Sequence, residues 1–173
     1  MSLHILSSGL WLGAASAMVV VMWLRPVAPQ TAAELMAWCL AVKLIDDVVV
    51  IGSAAGSLLT GLLLSWRTRW GFFVWYWVGF KLIATVLMVL FGATCLGPWI
   101  DRTAAVVGRS GLHAMEDPAF LGDTRRAAVF GAAQAGLLAF VVCVSVFKPW
   151  GRVASPQRGD KRTEQGSAAD TGK

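Results

Sequence analysis

The chain has 173 residues, 57% of them hydrophobic and 14% charged, with a formal net charge of +5. An ordinary soluble domain is about 25% charged, so this composition excludes a water-soluble globule. The length allows one domain without a separate soluble module, and the positive excess sits in the C-terminal tail and beside apolar runs, which favours a membrane surface over nucleic acid as its partner.

Four apolar runs, at roughly 4–24, 45–65, 72–98 and 127–147, dominate the sequence. Each supplies the ~20 residues with which an α-helix crosses a ~30 Å hydrocarbon core. They predict an all-α fold, a four-helix transmembrane bundle over residues 1–150, followed by a polar tail at 151–173 whose composition predicts disorder. Ala15-Ser16-Ala17 resembles a signal-peptidase site, yet no Lys or Arg precedes it and the run continues through Met18–Leu24, so the first helix is expected to be retained. Arg25-Pro26 closes that helix, with Pro29 close behind. Thr31–Val42 opens with a Thr cap and Glu34 in the first turn. It reads either as an amphipathic helix in the interface or as the extramembrane start of helix 2. With no Gly or Pro break before Gly52, a single long helix 2 fits.

Trp66–Gly71 forms a tight basic turn, and helix 3 begins with an aromatic girdle of Phe72, Phe73, Trp75, Tyr76 and Trp77, rings that favour headgroup depth. Gly97-Pro98-Trp99 is expected to stop helix 3 and Asp101–Arg126 to form the longest loop; helix 4 closes at Lys148-Pro149-Trp150. The helix 2–3 turn and the tail carry eight Lys and Arg residues on one side of the membrane, against six spread over the longer connections on the other. That density predicts a cytoplasmic N-terminus and a cytoplasmic C-terminus in a bacterial cytoplasmic membrane.

Small residues recur four apart: Gly9 and Gly13 with Ala17 on helix 1, and Gly52, Gly56, Ser53, Ser57 and Gly61 on helix 2. In lipid, helices associate through close backbone approach, so these stripes predict packing faces and put helix 2 between two neighbours.

The polar cluster Lys43-Leu44-Ile45-Asp46-Asp47 is the leading functional candidate, as an ion site or charged gate. Lys43 and Asp47 stand i,i+4 and are expected to pair, while Asp46 points elsewhere, toward Arg25 or an arginine of the long loop. Lys81 and Gln134 are polar groups inside the apolar runs. Lys81 either snorkels to the headgroups or faces Ser57, Thr60 or Gln134, and Gln134 suits an interhelical hydrogen bond. A haem iron between helices needs converging ligands; His4 and His113, the two histidines, fall at opposite ends of the bundle. His4 alone is a weak candidate metal ligand, and no cofactor is expected. Cys39 and Cys95 approach the same outer side, where a disulfide would require Cα atoms within about 7 Å, and Cys143 is expected to be buried. No GxSxG, phosphate-binding glycine loop or HExxH occurs, so the sequence does not point to an enzyme.

The segments Leu3-His4-Ile5-Leu6 with Trp11-Leu12-Gly13, KLIDD (43–47), LLTGLL (58–63), WGFF (70–73), GPW (97–99) and FKPW (147–150) together resemble a family of small, uncharacterised bacterial integral membrane proteins. The opening His-x6-Trp-x-Gly more distantly resembles the helix that opens copper-resistance-type membrane domains. The first resemblance implies the multi-pass fold and KLIDD as a unit, without a reaction. The expectation is a transport component or accessory membrane subunit, acting in the bilayer as a homo-oligomer or with a membrane partner protein. The alternative is a redox or metal-handling membrane protein, copper or haem related.

Overall fold

A computed structural model describes residues 2–67 and 76–147. All the elements within them are helical. Helix α1 covers Ser2–Trp23; α2 (Ala32–Leu44) runs through a π turn (Ile45–Val50) into α3 (Ile51–Arg67); α4 (Tyr76–Phe91) runs through a second π turn (Gly92–Leu96) into α5 (Gly97–Ser110). A 3-10 stretch at Gly111–Glu116 leads to α6 (Pro118–Phe147). Four helical rods result, each long and apolar enough to cross a membrane: Ser2–Trp23, Ala32–Arg67, Tyr76–Glu116 and Pro118–Phe147. We call them helices 1 to 4. They close a ring in which helix 1 packs on helices 2 and 4, and helix 3 packs on the same two. Helix 2 therefore has the two neighbours expected of it.

Three of the rods exceed the sequence-based spans, and the excess is on one side. Helix 2 has 36 residues, or ~54 Å at 1.5 Å per residue. Its start is fixed by Thr31, whose Oγ1 accepts the Glu34 N–H at 3.2 Å, while Glu34 Oε2 accepts the Gln30 N–H at 2.9 Å. These paired caps satisfy two of the donors that a helix start leaves open. The two alternatives for Thr31–Val42 thus resolve in favour of one continuous helix 2.

Helix 3 does not stop at Gly97-Pro98-Trp99, and Asp101–Arg126 is not a loop. Proline removes a backbone donor and crowds the preceding turn. Here the widened turn before it absorbs the defect, with the Gly97 N–H reaching back to the Gly92 carbonyl, and α5 continues to Ser110. Helix 4 begins at Pro118 rather than Ala127, because Asp117 Oδ1 accepts the Ala119 N–H at 2.7 Å and Pro118 occupies a first-turn site that needs no donor.

The extensions form a small cap with its own core of Leu35, Cys39, Val106, Val107, Ala114 and Phe120. Below it lies a collar of Met18, Met22, Val42, Ile100 and Ala127, and then the centre of the bundle, built on Trp11, Ala54, Ala84, Met88, Leu138 and Val141. Trp38 Nε1 donates to the Val21 carbonyl at 2.9 Å, fastening the cap to the last turns of helix 1. Phe91, Trp99 and Phe130 meet edge-on or tilted at centroid separations of 5.7–6.1 Å and join helices 3 and 4 below the cap.

The small-residue stripes divide. A Cβ on Gly56 would meet Ser7 Oγ at 3.1 Å and one on Gly61 would meet the His4 ring at 3.3 Å, so both glycines admit helix 1 closely. Ser53 and Ser57 are buried on the same face. Gly9, Gly13 and Gly52 differ from expectation: they face outward, with nothing within 4 Å of an added Cβ. Cys143 is likewise exposed, because the buried face of helix 4 passes through Leu138, Val141 and Val144. All three cysteines are free thiols, so Cys39 and Cys95 do not pair. Phe72, Phe73 and Trp75 of the girdle, Arg69 of the basic turn, Lys148-Pro149-Trp150 and the tail at 151–173 lie outside the described residues.

Candidate functional site

The two π turns, on helices 2 and 3, both line one cavity, through Asp46 and Val50 on the first and Gly92, Ala93 and Leu96 on the second. On helix 2, three consecutive β-branched residues, Val48–Val50, crowd a regular α-turn, and the Ile51 N–H reaches back five residues to the Asp46 carbonyl. On helix 3, the cause is Pro98. Such turns re-aim side chains and recur at functional sites.

The π turn separates the two adjacent aspartates. Asp47 points out and takes the expected partner, with Lys43 Nζ at 3.0 Å from its Oδ2. Lys43 also donates to Asp101 Oδ1 of helix 3, a partner that no local spacing announces. This triad clasps helices 2 and 3 at the edge of the bundle.

Asp46 turns inward and is 7% exposed. Arg25 does not meet it. That guanidinium lies in the cap, 3.7 Å from Met115 Sδ and 5.9 Å from the centroid of the Phe120 ring. Two of the four long-region arginines are committed as well: Arg102 Nε and Arg126 NH1 donate to the buried Asp123 at 2.8 and 3.1 Å. Among the described residues no side-chain donor reaches the Asp46 carboxyl. A Cβ on Gly97 would lie 3.9 Å from Asp46 Oδ2 and 3.5 Å from the Gly92 carbonyl, both ordinary contacts, which places the second π turn of helix 3 beside the carboxyl.

Asp46 lines a cavity of about 340 Å³ within the ring of helices. Gln134 of helix 4 lines it too, with its Nε2 3.7 Å from a Cβ placed on Gly92. The other wall residues include Trp11, Met18, Ala54 and Met88. Gln134 is thus a cavity wall residue rather than the interhelical bond expected. The cavity is legible in the sequence only through Asp46, since its shape depends on the two π turns.

The remaining polar candidates gather at the far end of the bundle. His4 Nδ1 lies 3.0 Å from Thr60 Oγ1 and 3.1 Å from the Ser57 carbonyl, and Ser8 and Ser57 hydroxyls are 2.8 Å apart. Lys81 Nζ sits 5.6 Å from the Trp77 ring centroid, a cation–π contact, rather than against Ser57 or Thr60. His113 lies in the cap, at the opposite end from His4. Among the described residues no three His, Cys, Asp or Glu side chains converge as metal ligands. No protein-family model, curated protein or solved structure matches the chain.

Proposed function

We propose that this chain is a multi-pass protein of a bacterial cytoplasmic membrane and acts there as a transport component. The four apolar rods support the membrane placement, and the helix 1–2 and 3–4 connections, which build the cap, would then face outward with both termini cytoplasmic. One observation carries the function: a buried carboxyl without a side-chain donor, opening onto a cavity lined by residues of all four helices. Ionisable groups at membrane depth are costly, and they recur where a charge is carried. In this reading Asp46 receives the cargo, and Lys43, Asp47 and Asp101 form the outer clasp that must loosen for release.

Gly9, Gly13 and Ala17 all lie on the outward face of helix 1, spaced as helices that pack closely in lipid require. They support association with a second copy of the chain.

The test is access to the cavity. With Cys39, Cys95 and Cys143 replaced by alanine, Ala54→Cys puts one thiol on the cavity wall. A transport component exposes that thiol to a charged, membrane-impermeant thiosulfonate, at different rates from the two sides of the membrane. A purely structural anchor leaves it unlabelled from both, and that result would overturn the reading.

A further inference from the structure

We infer that the Asp46 cavity takes a lipophilic amine, an apolar molecule with a single cationic head, and that this ligand enters sideways from the bilayer between helices 3 and 4. The inference rests on the membrane reading above and names the cargo of the same cavity.

The head follows from charge. Asp46 is almost wholly buried and its nearest sequence cation, Lys43, is held by Asp47 and Asp101. A buried carboxylate without a partner is expensive, and a cation in the cavity would supply the missing counter-charge. The body follows from the walls. Apart from Asp46 and Gln134, the lining side chains are hydrocarbon, thioether or indole, or are glycine. A bare metal cation binds through six or so oxygens, and one carboxyl with one amide offers too few. A molecule with apolar bulk and one charged group satisfies both surfaces, and a volume of about 340 Å³ is within the range of small-molecule sites.

The route follows from a second recess of about 490 Å³ on the outer face, between helices 3 and 4. Its walls include Phe80, Leu87, Phe91, Phe130 and Ala133, and Gln134 is its single polar lining side chain. Met88 and Gln134 belong to both the recess and the cavity, so these two side chains form the partition between them. Both are unbranched, and a thioether adapts readily to a passing shape. A ligand lying in the recess has its tail in contact with lipid and its head one side-chain movement from the cavity that holds Asp46.

The experiment measures equilibrium dialysis of tritiated decylammonium against the purified full chain in mild detergent. Saturable binding is expected, weakened tenfold or more by the size-matched Asp46→Asn, with decanol, the same tail without charge, failing to compete. Equal binding to Asp46→Asn, or full competition by decanol, overturns the amine. Ala133→Trp fills the recess and leaves Asp46 untouched; in a rapid-filtration time course on the chain in lipid vesicles it is expected to slow decylammonium association severalfold while short-chained butylammonium is unaffected, and an unchanged rate for decylammonium overturns the lateral route. Asp46-dependent binding together with an unlabelled Ala54→Cys thiol would sustain the ligand and sink transport. A labelled thiol without amine binding would do the reverse.

Discussion

Arg102 grips Asp123 through two nitrogens, Nε at 2.8 Å from Oδ2 and NH2 at 3.3 Å from Oδ1, across the joint between helices 3 and 4. Arg126 adds a third contact at 3.1 Å from one turn along helix 4. The carboxylate is buried and both guanidinium groups are mostly exposed, so the arginines keep their hydration while the aspartate gives up its own. Asp123→Asn keeps the shape and removes the charge. It should destabilise the cap by about 1.5–3 kcal/mol, the range for hydrogen bonds to charged groups, measured by urea titration of the purified protein. A loss of only about 0.3 kcal/mol, typical of an exposed ion pair, would show that the grip adds little to stability.

Gly111 ends α5 with φ 57° and ψ −129°, a conformation that side chains with a Cβ rarely adopt. It lets the chain leave α5 and enter the 3-10 stretch, and a Cβ there would sit 3.5 Å from Ala32 Cβ, an ordinary contact. The cost of Gly111→Ala is therefore backbone strain, on the order of 1–3 kcal/mol. Gly122→Ala is the internal control. It lies in α6 with open space around an added Cβ, and helix propensity predicts a gain of about 1 kcal/mol. Thermal melts of the two variants should move in opposite directions.

Thr124 Oγ1 is buried with no hydrogen-bond partner among the described residues. Replacing an unsatisfied hydroxyl by a methyl of similar size removes a desolvation cost of about 1–3 kcal/mol. Thr124→Val should therefore raise the unfolding midpoint, whereas a lowered midpoint would mean that the hydroxyl has a partner in solution.

The outward stripe on helix 1 gives a prediction for assembly. Gly9→Leu with Gly13→Leu should abolish close association between copies, read by cross-linking in membranes, while leaving the circular dichroism of the monomer unchanged. Gly56→Leu should behave differently, because Ser7 leaves no room for the larger side chain and the fold itself would loosen. Unaltered cross-linking in the Gly9/Gly13 variant would remove this face from consideration as an interface.

Hydropathy marked the four rods, and helix signals marked much of their extent. Thr31 with Glu34 announced the start of helix 2. Asp117-Pro118 carried an equally clear start for helix 4, but the surrounding charges suggested a loop, since hydropathy cannot distinguish a polar connection from an amphipathic helix that packs on other helices. Pro98 looks like a terminator in the sequence, but its effect depends on whether the preceding turn can widen, and that is settled by packing. For the site, the i,i+4 spacing of Lys43 and Asp47 was enough to pair them. The third member, Asp101, lies 58 residues from Lys43, and no local pattern links the two. The separation of Asp46 from Asp47 was anticipated, but its target was not: a cavity wall is a property of four helices together.

The cap changes what holds this chain together. Its core of Leu35, Cys39, Val106, Val107, Ala114 and Phe120 stands beyond the lower rods. On the membrane reading it faces water, so it is stabilised by the ordinary hydrophobic effect, whereas the rods below must rely on close packing in a medium as oily as themselves. The molecule thus spans two solvents with two different glues. Urea should dissolve the first while sparing the second, and a harsh detergent should part the rods before it reaches the cap's interior. Because helices 2 and 3 run unbroken through the boundary, damage on either side reaches Asp46, which lies where the two regimes meet.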